Sequence, residues 1–473
     1  MSQKLETLKL ENNDVISELP QEVLSQMISL LPLKEAVRTS ILSKSWISKW
    51  TTHLDIVCDI ESIIGFLSDE HTYEDFLEIQ DKTEKFVERV DHIIQQRCKG
   101  PKLNSIYISF PLSGKDESQI ASWIYDAVAM GVKSIYFDST GGSDFVIDAS
   151  LGVPTFPFSV LTAFDKACTV QRLWLFSCSL GPLSISDTLA SLVNVRFDSV
   201  NFTDEQLDAM ICNCLFLEKM VLINCPNLVN FKLTSKGSRL RFLDLQGCDG
   251  LKYIELYAEN LEILEYTGQT DCFSFKHVPK LAEVYLRFYG KKRAECTTFA
   301  LSRIAAHIPR LETLKINVRW AVLQPGVIPT LTNIVNLVLT GCPRYDEYKL
   351  CWINCILKAF PFLNKLQLNL FISSSIRQSE MNDGHLPEVT HANLRELEIN
   401  GYHGSLQQVE LLKFLVNSAV KLDLLMISPL AKEYQGSDDW FYREIAGNTL
   451  SLEKIEELRS IVPRTVQVIY YNL

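Results

Sequence analysis

Several kinds of chemistry are missing from this chain. Its 13 cysteines contain no Cys-x-x-Cys pair and their number is odd, so neither a disulfide framework nor a zinc ribbon is signalled. The 8 histidines include no His-x-x-x-His pair. His385 and His391, near Glu388, come closest to a cluster, and they sit in a polar stretch. Cys351 and Cys355 lie one helical turn apart without a basic partner or a third ligand. Thr140-Gly141-Gly142-Ser143 lacks the following lysine of a phosphate loop and reads as a turn. No catalytic residues, no metal site and no cofactor are therefore expected.

Basic charge is short as well. With 46 Lys+Arg against 57 Asp+Glu the formal net charge is -11, which repels a phosphate backbone and argues against nucleic acid as a partner. No apolar run approaches the roughly 18 residues of a membrane helix, and charges are scattered through the first turns where a secretory signal would need an apolar core. No membrane partner is expected, and the nucleus and/or cytoplasm is the expected location. What is present is ordinary globular composition, 47% hydrophobic and 22% charged, over 473 residues, enough for several domains or one long repeat array.

Residues 14–52 carry two short amphipathic stretches. Val23, Met27 and Leu30 recur at helical spacing with Leu24, Ile28 and Leu31 one step round; Pro20 suits the helix start and Pro32 its end. In the second stretch Val37 and Ile41 share a stripe, as do Leu42, Trp46 and Trp50. A segment this short cannot bury its own surface. Periodicity fits a helix-in-groove interface and a cap on the following domain equally well.

The residues themselves carry a resemblance. Asp14, Ile16, Ser17, Leu19 and Pro20, then Leu31, Pro32, Lys34, Ala36, Val37, Arg38, Thr39, Ser40, Leu42, Ser43, Lys44 and Trp46, resemble the F-box as plant proteins write it. The resemblance implies that Leu19, Pro20, Leu24, Ile28, Val37, Leu42 and Trp46 pack on a Skp-type adaptor, which hangs from a cullin scaffold. Ser45 and Ile47 depart from the pattern, where the family usually carries basic residues.

After Gly100 a template of the form Leu-x-x-Leu-x-Leu recurs, as LNSIYI at Leu103, VKSIYF at Val132, VQRLWL at Val170, LEKMVL at Leu217, LRFLDL at Leu240 and LRELEI at Leu394. The mean step of about 27 residues lies within the leucine-rich-repeat range. Four units reach a cysteine eight residues after the template begins, Cys178, Cys225, Cys248 and Cys342, a place for a small inward side chain. The fold class expected is α/β: an N-terminal helical F-box followed by a curved leucine-rich-repeat solenoid with a parallel sheet. Alternation along each strand offers Trp174 and Phe176, Arg196 and Asp198, Val221 and Ile223, Asp244 and Gln246, and Tyr285 and Arg287 to the concave face, where a target protein would bind. Trp174 and Phe176 are either hot spots or covered by an insertion such as LGVPTFPF.

Leu394, Leu397, Ile399, Gly401, Tyr402 and Gly404, followed by a helix and Asn417, resemble the FBD segment at the carboxyl end of many plant F-box proteins. The expected domains are an F-box over 12–52, a helical linker over 53–102, repeats over 103–372 and an FBD-like cap over 386–473. The expected role is non-catalytic: the substrate-recognition subunit of a Skp-cullin-F-box ubiquitin ligase. A non-degradative scaffold and a small-ligand-dependent receptor on the same fold are the alternatives.

Overall fold

The computed structural model describes residues 19–31, 33–39, 54–65, 82–97, 102–142, 152–164, 168–182, 189, 191–234, 238–269, 273–290, 293–318, 328–341, 351–371, 389–437, 439–443 and 452–471. Two compact units divide the chain, Met1–Leu183 with Asp187–Leu192 and Ser184–Ser186 with Val193–Leu473.

The first unit opens with the helices Gln21–Ser29 and Leu33–Arg38. Its sheet is parallel and follows chain order, through Asp55–Asp59, Ser105–Ser109, Ser134–Asp138 and Arg172–Phe176. Alternate residues turn inward and are buried: Ile56 and Cys58, Ile106 and Ile108, Ile135 and Phe137, Leu173 and Leu175. The helices Thr83–Arg97 and Glu117–Ala129 bring Phe86 and Trp123 into this core, where Phe86 stacks on Phe110 at 4.0 Å and meets Trp123 edge-on at 6.4 Å. The stretch 53–102, expected as a helical linker, thus contributes a strand as well as a helix. Asp-Ile-Val-Cys-Asp alternates with period two, yet it lacks the repeat template that marks the later strands.

The second unit continues the same construction. Parallel strands follow one another in chain order from Asn194–Asp198, Lys219–Ile223, Phe242–Gln246, Ile263–Gly268 and Glu283–Phe288 to Thr313–Asn317, Asn336–Thr340, Lys365–Asn369, Glu396–Asn400 and Leu424–Ser428. The strand Gln467–Tyr470 pairs with the last of these. Inward leucines such as Leu243 and Leu245 are completely buried, each contributing about 1.5–3 kcal/mol. Returning segments are helices where the sequence supplies caps: Thr203 exchanges hydrogen bonds with Gln206 ahead of Asp204–Asn213, and Ser405 with Gln408 ahead of Leu406–Ser418. Where it supplies alternating aromatic and aliphatic residues they are strands instead, Asn230–Leu233, Tyr253–Tyr257 and Phe273–His277, joined in a small parallel sheet.

A left-handed residue follows several repeat strands: Ser177, Ser199, Asn224, Gly247, Gly341 and Gly401 all have positive φ. After Ser177, Ser199, Asn224, Gly247 and Gly401 the next residue drops into the core. Cys225 Sγ lies 3.8 Å from the Phe197 carbonyl and Cys248 Sγ 3.8 Å from that of Leu222, so these thiols bridge adjacent turns. Cys178 is buried likewise, and burial pushes its thiol well above the ordinary range; Cys342 lies outside the described residues. His391 is structural too: its Nε2 lies 2.9 Å from the Phe360 carbonyl and its Nδ1 accepts from Leu394 N–H at 3.1 Å. Among the described residues no helix is long and apolar enough to cross a membrane. None of their His, Cys, Asp and Glu groups is arranged to hold a metal ion.

Candidate protein-binding surfaces

At the amino end the helix Gln21–Ser29 separates two apolar stripes. Leu24 and Ile28 are buried, whereas Val23, Met27 (46% accessible), Leu30 (85%) and Leu31 stand exposed. Pro20 is exposed, Leu19 and Val37 are half-buried, and Leu42 and Trp46 lie outside the described residues. The F-box resemblance implies that Leu24 and Ile28 pack on an adaptor. The structure turns them inward, so the open apolar stripe is the neighbouring one. An apolar stripe of this kind on a short helix is the form of a helix-in-groove contact.

On the first unit the outward positions form an in-register row. Val57 faces Tyr107, Tyr107 faces Tyr136 and Tyr136 faces Trp174. The Tyr107 and Tyr136 rings stack at 4.0 Å, Trp174 meets Tyr136 edge-on at 6.2 Å, and Phe176 leans on Tyr136 at 4.8 Å. Trp174 keeps 42% of its surface accessible and Val57 is exposed, while Phe176, Tyr107 and Tyr136 are half-buried. Asp55 and Asp59 bracket Val57 on the same strand face. A run of aromatic rings bordered by carboxylates can bind apolar and cationic side chains.

The second unit is different, because the chain covers its own concave face. Directly after the strand Leu424–Ser428 comes an antiparallel hairpin, Ala431–Gly436 with Asp439–Arg443. Tyr434 O–H donates to Glu265, Ser437 N–H donates to Glu265 Oε2 at 2.5 Å, and Ser437 Oγ donates to Asp244 Oδ2 at 2.9 Å. Tyr285 O–H donates to the Tyr434 carbonyl at 3.2 Å. Asn317 donates to Glu433 Oε1 at 3.0 Å, with Arg287 at 3.5 Å from the same atom. Lys432 Nζ reaches Glu398 Oε1 at 2.5 Å, and Lys315 Nζ sits 4.1 Å from the centre of the Tyr434 ring.

These contacts set the electrostatics of the groove. Burial, with Glu265 beside it, pushes the Asp244 carboxyl up to about 7. Burial would also raise Glu398, but the Lys432 ammonium and the Asn400 amide outweigh it and hold this carboxyl below its ordinary value. Near the start of the hairpin, away from its tip, a buried amide ladder continues the face: Asn400 Nδ2 donates to Asn369 Oδ1 at 2.8 Å, and Asn369 Nδ2 donates to Thr340 Oγ1 at 3.1 Å.

The residues read from sequence as open concave positions therefore fare unequally. Val221, Asp244 and Tyr285 are buried, and Arg196, Asp198, Ile223, Gln246 and Arg287 are half-buried. For Asp244, Tyr285 and Arg287 the cover is the hairpin, reached through contacts that no local pattern announces.

Two sequence profiles match the chain: the leucine-rich-repeat domain of At1g61320/AtMIF1 over residues 96–459, and the F-box domain over residues 16–55. The chain belongs to the At1g61320/AtMIF1 leucine-rich-repeat family. Similar Arabidopsis thaliana proteins include the F-box/FBD/LRR-repeat protein At2g04230, 28% identical over 74% of this chain and 77% of its own length. The F-box/FBD/LRR-repeat protein At2g26030 is 23% identical over 92% of this chain and 96% of its own. The putative FBD-associated F-box protein At5g50270 is 25% identical over 88% and 97%. This chain is thus an F-box/leucine-rich-repeat protein, and FBD is a term its relatives carry in their names.

Within that family frame, two features escaped the sequence reading. Tyr107 and Tyr136 occupy the fifth template place of LNSIYI and VKSIYF, the place Trp174 holds in VQRLWL, so aligning all the units would have found the aromatic row. The hairpin had no such signal, since Glu265 and Tyr434 stand 169 positions apart.

Proposed function

We propose that this chain is the substrate-recognition subunit of a Skp-cullin-F-box ubiquitin ligase, a non-catalytic receptor that holds a target protein for ubiquitylation by other subunits. The observation that carries this reading is the pairing of an F-box, whose first helix and its flanks leave Pro20, Val23, Met27, Leu30 and Leu31 exposed, with a long leucine-rich-repeat array. The apolar stripe offers a Skp-type adaptor an amphipathic face, and through the adaptor the chain reaches a cullin. The receptor contributes proximity and orientation, which convert a bimolecular encounter into a local one.

The target surface belongs to the row Val57, Tyr107, Tyr136 and Trp174 with Phe176. Its rings are rigid, partly accessible and ordered by the strands beneath them, which is the make-up of an interface hot spot. Arg196, Asp198, Ile223 and Gln246 keep part of their surface accessible and extend the polar recognition available on the second unit. The nucleus and cytoplasm are where such a ligase works.

Affinity purification separates the roles. The wild-type chain recovers a Skp-type adaptor and a cullin, a Met27→Asp, Leu30→Asp chain loses both, and a Trp174→Ala chain retains both while losing its target. Equal adaptor recovery by the wild type and the Met27/Leu30 variant would remove the F-box assignment.

A further inference from the structure

The hairpin fills the concave groove of the second unit, yet the fit is incomplete at one atom. Asp244 is completely buried; its Oδ2 accepts from Gln246 Nε2 at 2.7 Å and from Ser437 Oγ at 2.9 Å, while its Oδ1 has no hydrogen-bond partner among the described residues. Leaving a buried carboxylate oxygen without a donor is unfavourable. Register sets Glu265 directly opposite on the next strand, about 4.8 Å away by strand spacing, so two buried carboxylates face the hairpin tip together. Other cations of the groove are directed elsewhere: Arg287 is 3.5 Å from Glu433, and Lys315 is 2.6 Å from Glu283. Arg196 acts on Asp244 from two strands away, the weakest of the influences on that carboxyl.

The tip that meets this acid pair is itself strained. Ser437 adopts a φ of 51°, a left-handed backbone costly for a residue other than glycine. Gly436, at φ +97°, approaches so closely that a Cβ there would stand 2.2 Å from Gln246 Nε2 and 3.2 Å from Glu265 Oε2. Strain laid over an unsatisfied buried acid marks a contact open to replacement by a better-matched segment.

We propose that this groove is a peptide-binding slot, occupied in the free chain by its own hairpin, whose incoming ligand is an extended target segment of the pattern aromatic-x-Gly-Lys/Arg. The four places are those of Tyr434, Gln435, Gly436 and Ser437. An aromatic ring in the first place sits by the Lys315 ammonium and edge-on to Tyr285, as Tyr434 does at 4.1 Å and 4.8 Å. Glycine is favoured in the third, where φ is +97° and a Cβ would displace the Gln246 amide. A lysine or arginine in the fourth brings a charged donor to Asp244 Oδ1, which the serine hydroxyl leaves unpaired, and neutralises the acid pair. A chain of net charge -11 attracts such a basic segment from a distance. The slot serves target recognition only if the receptor reading holds, but binding to it is measurable without any ligase.

The test uses labelled nine-residue peptides covering 432–440, one with the native sequence, one carrying Ser437→Lys and one carrying Ser437→Lys with Tyr434→Ala. Each is titrated by fluorescence anisotropy into the full-length chain, and into full-length Tyr434→Ala, which loosens the hairpin, Asp244→Asn and Glu265→Gln chains. The Ser437→Lys peptide is expected to bind roughly tenfold tighter than the native peptide, as one added charged hydrogen bond would give. Tyr434→Ala in the chain strengthens binding, and Tyr434→Ala in the peptide abolishes it. Asp244→Asn removes the tenfold preference, and Glu265→Gln reduces it, which keeps the test open should one variant fail to fold. A fixed structural hairpin would leave every peptide unbound, even by the loosened chain, and that result overturns the proposal. So does a preference for lysine that survives both carboxamide variants. Loss of adaptor binding in a parallel capture would instead strike the receptor reading and leave the slot standing.

Discussion

Replacing Asp244 by asparagine makes the cost of the buried acid pair measurable. The carboxyl titrates near 3.8 when exposed and is raised to about 7 in the folded chain, by burial first and Glu265 second. A raised carboxyl means that the folded state holds the proton more tightly than the unfolded state. The stability this lends is complete below about pH 4 and is lost progressively as pH climbs to about 7. At 1.36 kcal/mol per unit the full window is worth on the order of 4 kcal/mol, and the interval from pH 5 to pH 7 about 3 kcal/mol. Asp244→Asn keeps the shape and the amide can donate, but it does not titrate. Urea unfolding of the wild type and of Asp244→Asn should therefore converge or cross with pH: at pH 8 the variant gains about 2–3 kcal/mol on the wild type relative to pH 5. Unfolding curves that stay parallel from pH 5 to pH 8 would show that the pair carries no such linkage.

Three further substitutions read other parts of the structure. Gly436→Ala places a methyl against Gln246 and forces an alanine to positive φ, so the hairpin should loosen by about 1–3 kcal/mol and trypsin should cut after Lys432 sooner than in the wild type. Trp174→Ala removes a ring that is 42% accessible and touches Tyr136 only by its edge, so a loss of about 1 kcal/mol in urea unfolding is expected beside complete loss of target capture. Leu243→Ala, by contrast, opens a cavity in a core position with no accessible surface and should cost about 2–5 kcal/mol, visible as a lower denaturation midpoint.

The repeat frame was legible because it is local. Leu-x-x-Leu-x-Leu fixes which residues point inward, and strands such as Phe242–Gln246 and Glu396–Asn400 fall on the templates LRFLDL and LRELEI. The eighth residue of those units, Gly247 or Gly401, then takes the left-handed turn into the core. Periodicity said less about orientation. In Gln21–Ser29 two apolar stripes differ by a single step round the helix, and nothing local decides that Leu24 goes in while Met27 stays out. The strand Asp55–Asp59 lay in a segment read as linker, for want of leucines at template spacing.

What covers the concave face was beyond reach for a different reason. The residues Ala431–Gly436 alternate as any edge hairpin would, and their partners Asp244, Glu265, Tyr285 and Asn317 sit on four separate strands. Asp244 and Tyr285 are among the positions that strand alternation offers to the concave side. Only the tertiary structure brings the carboxyl-terminal hairpin back onto them, so positions chosen as open are partly the chain's own packing surface. The aromatic row of the first unit carries the candidate site more directly, and two of its rings, Trp174 and Phe176, stood out from sequence alone.

The central claim is that one chain joins a ligase to a target through two separate surfaces, and ubiquitin-remnant profiling of cells tests it most directly. Cells expressing the wild type, Met27→Asp with Leu30→Asp, or Trp174→Ala are compared. The account predicts a set of proteins whose ubiquitylation rises with the wild type and falls back to the same baseline with either variant. Profiles that are indistinguishable across all three chains would contradict it.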